Sequence, residues 1–143
     1  MLADLLKQLL GDTFVLYFKA HTYHWNIEGP DFAQYHEFLG EFYGDVFGAV
    51  DTIAELIRTL NVYAPTTLGR MQALSTSIEE ADTIPPALEM ISRIKIANDQ
   101  YLAMLYKVYN EAEKSSEFGI SNILQDRISA HEKHAWMLRS IVK

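Results

Sequence analysis

The chain has 143 residues, 49% of them apolar and 22% charged, which is enough apolar material for one buried core and excludes a disordered tail. Twelve Lys and Arg against nineteen Asp and Glu leave a net charge of −7, the wrong sign for holding a phosphate backbone by electrostatics. No cysteine is present, so thiolate metal sites, thiol nucleophiles and disulfides are excluded, and His and carboxylates are the strong ligands that remain.

Leu2, Leu5, Leu6, Leu9, Leu16, Ala20 and Tyr23 fall on one helical face, with Asp4, Gln8, Lys19, Thr22 and Asn26 on the other, and predict a first helix of about seven turns. Phe14, Val15, Leu16, Tyr17 and Phe18 are apolar all round that helix, which a small bundle cannot bury alone and which predicts burial against another subunit. Glu28-Gly29-Pro30-Asp31 stops the first helix and opens a second, from Phe32 to about Leu60, which ends at Asn61 and Pro65. A short helix over Thr67 to Leu74 follows. Pro85-Pro86 opens the third long helix, with Leu88, Ile91, Ile94, Leu102, Leu105 and Tyr109 as its apolar stripe. Ser115-Ser116 and Gly119 break the pattern, and Ile120, Ile123, Leu124, Ile128, Ala135 and Leu138 mark a last helix reaching almost to Lys143.

The expected fold is an all-α four-helix bundle with a short extra helix in the long crossover between the second and third long helices, the ferritin-like connectivity, over a single domain from 1 to 143. No apolar stretch approaches the ~18 residues of a membrane span. The first ten residues carry Asp4 and Lys7 and lack a small-residue cleavage site, which predicts a cytoplasmic protein.

His21, His24 and His36 lie near two helix ends joined by a tight loop, so His24 and His36 can meet. Asp51 and Glu55, four residues apart, share a face of the second helix. Either set alone reads equally as ordinary solvated polar residues. His36 and Asp51 are separated by roughly 22 Å of helix at 1.5 Å per residue, far beyond the ~2 Å bonds of a transition-metal site. One chain cannot close such a site. Two antiparallel copies related by a two-fold axis can, each offering its histidines to the other's carboxylates, and imidazole plus carboxylate with open positions suits iron. Gly40, Gly44 and Gly48 repeat between the two clusters, where glycine costs roughly 1 kcal/mol per helix-interior site relative to alanine. Their spacing fits a helix approaching closely, from a second copy or from the same bundle.

His24-Trp25-Asn26-Ile27-x-Gly29-x-x-Phe32-x-x-x-His36, followed by Asp51-x-x-Ala54-Glu55, resembles the signature of the Dps proteins, the dodecameric mini-ferritins named for DNA protection in starved cells. The resemblance extends to the last helix through His131-Glu132-Lys133-His134-Ala135-Trp136-Met137-Leu138. It implies a dodecamer with 2:3 symmetry and a ferroxidase centre at each two-fold interface. Its catalytic and metal-binding residues are then His24 and His36 of one subunit and Asp51 and Glu55 of the neighbour, with Trp25 packed beside them. It further implies that ferrous iron is oxidised there, preferentially by hydrogen peroxide, with oxygen the other oxidant, and stored as ferric mineral.

Two positions depart from the family pattern. Gly40 stands where an Asp is common one turn after the second histidine, and Leu56 where Arg often follows the ligand Glu. One tight and one weak iron per centre are therefore expected, with peroxide-dependent oxidation retained. The alternative is a Dps-like shell that sequesters metal or coats DNA with little ferroxidase activity. DNA binding is not expected, because the first ten residues hold only Lys7 as a basic side chain and a shell of such chains is strongly negative. His131 and His134 are three apart, so a zinc-protease H-E-x-x-H motif is excluded, and they read as polar or interface positions. The absence of Glu-x-x-His excludes the intrachain carboxylate di-iron site of other ferritin-like bundles.

Overall fold

The computed structural model describes residues 1–77 and 81–143. Its elements are α1 (Leu2–Asn26), α2 (Phe32–Thr59), α3 (Leu68–Leu74), α4 (Ala87–Lys114) and α5 (Phe118–Val142), with no strand among the described residues. The expected all-α, ferritin-like arrangement is the one observed. α1 pairs with α2 and α4 with α5, and α1 joins the two hairpins through contacts with α4 and α3. Leu6, Leu9, Leu10, Leu39, Phe42, Ile53, Ile57, Ile91, Ile94, Leu105 and Leu124 are fully buried, so the stripes read from the sequence converge on one core. No described helix is long and apolar enough to cross a membrane.

The α1–α2 turn places the candidate ligands. Ile27 is buried and extended, its N–H bonding Tyr23 O at 2.9 Å, and Gly29 follows at φ +121°, a conformation strained for any L side chain. The chain thereby reverses within five residues and sets the end of α1 against the start of α2.

The crossover is fastened to α1. A Cβ on Gly11 falls 2.6 Å from Met71 O and 2.8 Å from Ser75 N, so only glycine admits the end of α3 at this distance. Beside it, the buried carboxylate of Asp12 accepts hydrogen bonds from Ser75 Oγ (2.7 Å), Thr76 N (2.6 Å), Thr76 Oγ1 (2.5 Å) and Ser77 N (3.2 Å). Between α4 and α5 the break differs from the expected one. Gly119 lies inside the first turn of α5, and it is Ser116 that turns the chain, at φ 57°, while Glu117 N bonds back to Ala112 O at 2.9 Å. This is the Schellman closure with serine in glycine's usual place, which local composition does not signal.

Candidate metal centre

His24 and His36 meet as the turn requires. Their rings stack with centroids 3.7 Å apart at 16°. His24 Nδ1 lies 2.7 Å from His36 O, and His36 Nδ1 lies 2.8 Å from His24 O. A carbonyl oxygen only accepts, so each Nδ1 must carry the proton. Each Nε2 of the neutral ring then keeps a lone pair, and among the described residues neither has a hydrogen-bond partner. The two backbones fix both tautomers in the form a metal requires.

Gly40 sits against this pair. A Cβ at that position falls 3.1 Å from Cε1 and 3.3 Å from Nδ1 of His24, closer than most real contacts. The residue that removes an oxygen ligand also makes room for the His24 ring. Gly44 and Gly48 have nothing within 4 Å of an added Cβ, so packing inside this chain does not explain them.

Around the pair lies a sheath of aromatic rings. His21 stacks on Tyr43 at 3.9 Å and 10°, touches Trp25 at 4.3 Å, and has the Tyr17 hydroxyl 2.8 Å from its Nδ1. Burial, then the nearby His24, holds the His21 pKa below the ordinary imidazole value. Trp25 reaches His21 and Phe18, its indole remaining 57% exposed, and is one residue removed from the ligand pair.

Asp51 and Glu55 are exposed on α2, on the same stripe as His36, Gly40, Gly44 and Gly48. The fold does not bring them to the histidines, and no group of three His, Asp or Glu capable of holding a metal exists among the described residues. Phe18, Trp25 and Phe47 stand exposed on α1 and α2 beside this stripe. The apolar run of α1 thus ends partly in solvent, as its all-round character leads one to expect.

A second constellation links α2, α4 and α5. His131 is wholly buried, with Nδ1 2.7 Å from Asn98 Oδ1 and Nε2 2.8 Å from Arg127 Nη2, while Asn98 Nδ2 donates to His131 O at 3.0 Å. Arg127 can only donate, so His131 is neutral with its proton on Nδ1. Burial lowers its pKa well below the ordinary value, and Arg127 and His134 add to the effect. Asp45 accepts from His134 Nε2 at 2.7 Å and from Arg127 Nη2 at 2.5 Å. The His134 hydrogen bond and then Arg127 hold its carboxyl far below the usual carboxylate range, against the opposing effect of burial. Tyr101, pushed up to about 12 by burial, closes the group beside His131 and bonds Thr13 at 2.7 Å. The sequence reading took His131 and His134 for polar or interface positions. Their partners, up to 89 residues away, make them an internal polar clamp.

Residues 3–143 match the family model of the ferritin-like domain, which makes the chain a ferritin-like protein. It is 32% identical to DNA protection during starvation protein 2 of Bacillus anthracis, over 97% of this chain and 94% of that protein. With antigen TpF1 of Treponema pallidum it shares 34% identity over 99% of this chain and 80% of the relative. A crystal structure of a Dps protein from Vibrio cholerae O1, described as a member of a broad superfamily of ferritin-like diiron-carboxylate proteins, superimposes with a TM-score of 0.93 at 27% identity, covering 99% and 89% of the two chains. Within the ferritin-like proteins, this chain belongs to the Dps family.

Proposed function

We propose that the protein is a cytoplasmic iron-oxidising and iron-storing mini-ferritin. Ferrous iron is its substrate, bound between subunits by His24 and His36 of one copy and Asp51 and Glu55 of a second, oxidised there by hydrogen peroxide, or by oxygen, and deposited as ferric mineral inside a dodecamer. The observation that carries this reading is the reciprocal locking of the two histidines, each Nδ1 held by the other's backbone carbonyl and each Nε2 left free. The carboxylates stand on the same α2 stripe, too far along the helix for their own chain and placed for an antiparallel copy. The exposed rings of Phe18, Trp25 and Phe47 supply apolar surface for that contact.

The chain's own residues have separable roles. The histidines offer two soft nitrogen donors in fixed tautomers, and the carboxylates two hard oxygens that balance the charge of the ferric product. Gly40 leaves one position without an oxygen, which supports one tightly held iron and a second bound more weakly. The −7 charge, multiplied over a shell, draws ferrous ions toward the protein and opposes contact with a phosphate backbone. DNA mobility is expected to be unchanged in a gel at about 150 mM salt. The test of function is stopped-flow oxidation of ferrous iron by peroxide. Rapid oxidation is expected in the native protein and its loss in His36→Ala with an intact shell; an unchanged rate in that variant would defeat the assignment.

A further inference from the structure

The sheath between α1 and α2 holds a phenol and an imidazole that iron binding does not use. The Tyr17 hydroxyl lies 2.8 Å from His21 Nδ1, and His21 stacks on Tyr43 with centroids 3.9 Å apart. Tyr43 meets the edge of His24 at 5.2 Å, and Tyr17 itself packs on Tyr43 at 6.0 Å and on Phe47 at 4.7 Å. Rings in contact therefore run from a candidate ligand to a phenol paired with a base. A phenol gives up an electron far more readily when its proton can leave with it, and a neutral imidazole nitrogen at hydrogen-bond distance is able to take that proton.

We propose that Tyr17 is a one-electron donor to the peroxide reduced at the His24–His36 centre, with His21 as the acceptor of its proton. The proposal rests on the reading of that centre as one that oxidises ferrous iron with peroxide. Its need arises at Gly40. A centre that holds a single ferrous ion has one electron to give, whereas hydrogen peroxide takes two to become water. In the step proposed, ferrous iron becomes ferric by losing one electron. The Tyr17 phenol loses the other, and its proton passes to His21 Nδ1. The O–O bond of peroxide breaks as these two electrons and two protons from solvent convert it into two molecules of water. A ferrous ion arriving later returns an electron to the Tyr17 phenoxyl, which takes its proton back from His21. Ferrous ions that come one at a time are then oxidised without release of hydroxyl radical.

The test uses the assembled protein, loaded without oxygen with one ferrous ion per subunit, mixed with hydrogen peroxide and frozen within milliseconds for electron paramagnetic resonance. A tyrosyl signal is expected, narrowed when the protein is made with ring-deuterated tyrosine, lost in Tyr17→Phe and weakened in His21→Leu. Spin-trapped hydroxyl radical is expected to rise severalfold in Tyr17→Phe. Iron oxidation with no tyrosyl signal in the native protein, or a signal that survives Tyr17→Phe, overturns the proposal and leaves the iron reading standing. Absence of peroxide-driven iron oxidation in the native protein overturns both. The deuterium experiment needs no substitution and decides the case even if a variant fails to fold.

Discussion

Two regions of this molecule each set a pair of histidines near a carboxylate, and they differ in what the ring nitrogens have left to offer. At the α1–α2 turn, backbone carbonyls occupy both Nδ1 atoms of His24 and His36 and nothing occupies either Nε2. In the bundle interior, His131 has both ring nitrogens engaged, by Asn98 and Arg127, and the Nε2 of His134 is spent on Asp45. The first region is open and waits for a ligand, while the second is closed and holds helices. Histidine count and proximity do not separate the two cases; the partner of the second nitrogen does.

The sharpest way to break this contrast is to delete one histidine from each region. His36→Ala is expected to slow peroxide-driven ferrous oxidation by about a hundredfold or more while leaving thermal unfolding nearly unchanged, since His36 is partly exposed. His131→Leu is expected to do the reverse, costing about 2 to 4 kcal/mol because Asn98 loses its acceptor's partner and Arg127 its imidazole, with oxidation per folded shell retained. Denaturant melts and stopped-flow traces on both variants decide whether the roles divide as described.

Gly40→Ala sharpens the open side. Helix propensity alone favours alanine by about 1 kcal/mol, yet the new Cβ falls 3.1 Å from His24 Cε1. An affinity loss of about tenfold for ferrous iron is expected, as for a disturbed supporting contact, measured by anaerobic titration. Tighter binding would mean that the glycine is not making room for the ring.

The closed side predicts a pH dependence. The His131 pKa is lowered in the fold, so as pH falls through about 6.5 the unfolded chain takes up a proton that the folded chain refuses. Protons bound to the unfolded state lower stability, so stability falls as pH drops from about 7 to 5. Asp45, also lowered, keeps its contribution above its ordinary value of 3.8 and loses it as the pH falls below that. The melting temperature should decline in both ranges, and His131→Gln should flatten the upper one alone. The smallest effect is at the crossover, where Gly11→Ala is expected to cost about 1 to 3 kcal/mol by pushing on the backbone of α3.

The open region was legible in the sequence because its parts are local. The apolar stripes placed every long helix, Gly29 marked the turn, and twelve residues between His24 and His36 across a tight loop brought the rings together. The closed region was not legible, because Asp45 meets Arg127 across 82 residues and Asn98 meets His131 across 33, distances over which spacing carries no signal. Asp12 is hidden in the same way, its partners lying 63 to 65 residues on. Serine at a position that usually takes glycine moved the expected break from Gly119 to Ser116. The carboxylate half of the centre is a different case, since the distance from His36 to Asp51 along one rigid helix states that a single chain is not the functional unit.

The most direct measurement is a crystal structure of the assembled protein soaked with ferrous iron in the absence of oxygen. The account predicts iron on Nε2 of His24 and His36 of one chain and on the carboxylates of Asp51 and Glu55 of a second, with His131, His134 and Asp45 free of metal. Iron held in the interior by His131 or His134, or histidines at the turn with no carboxylate of another copy across from them, would contradict it.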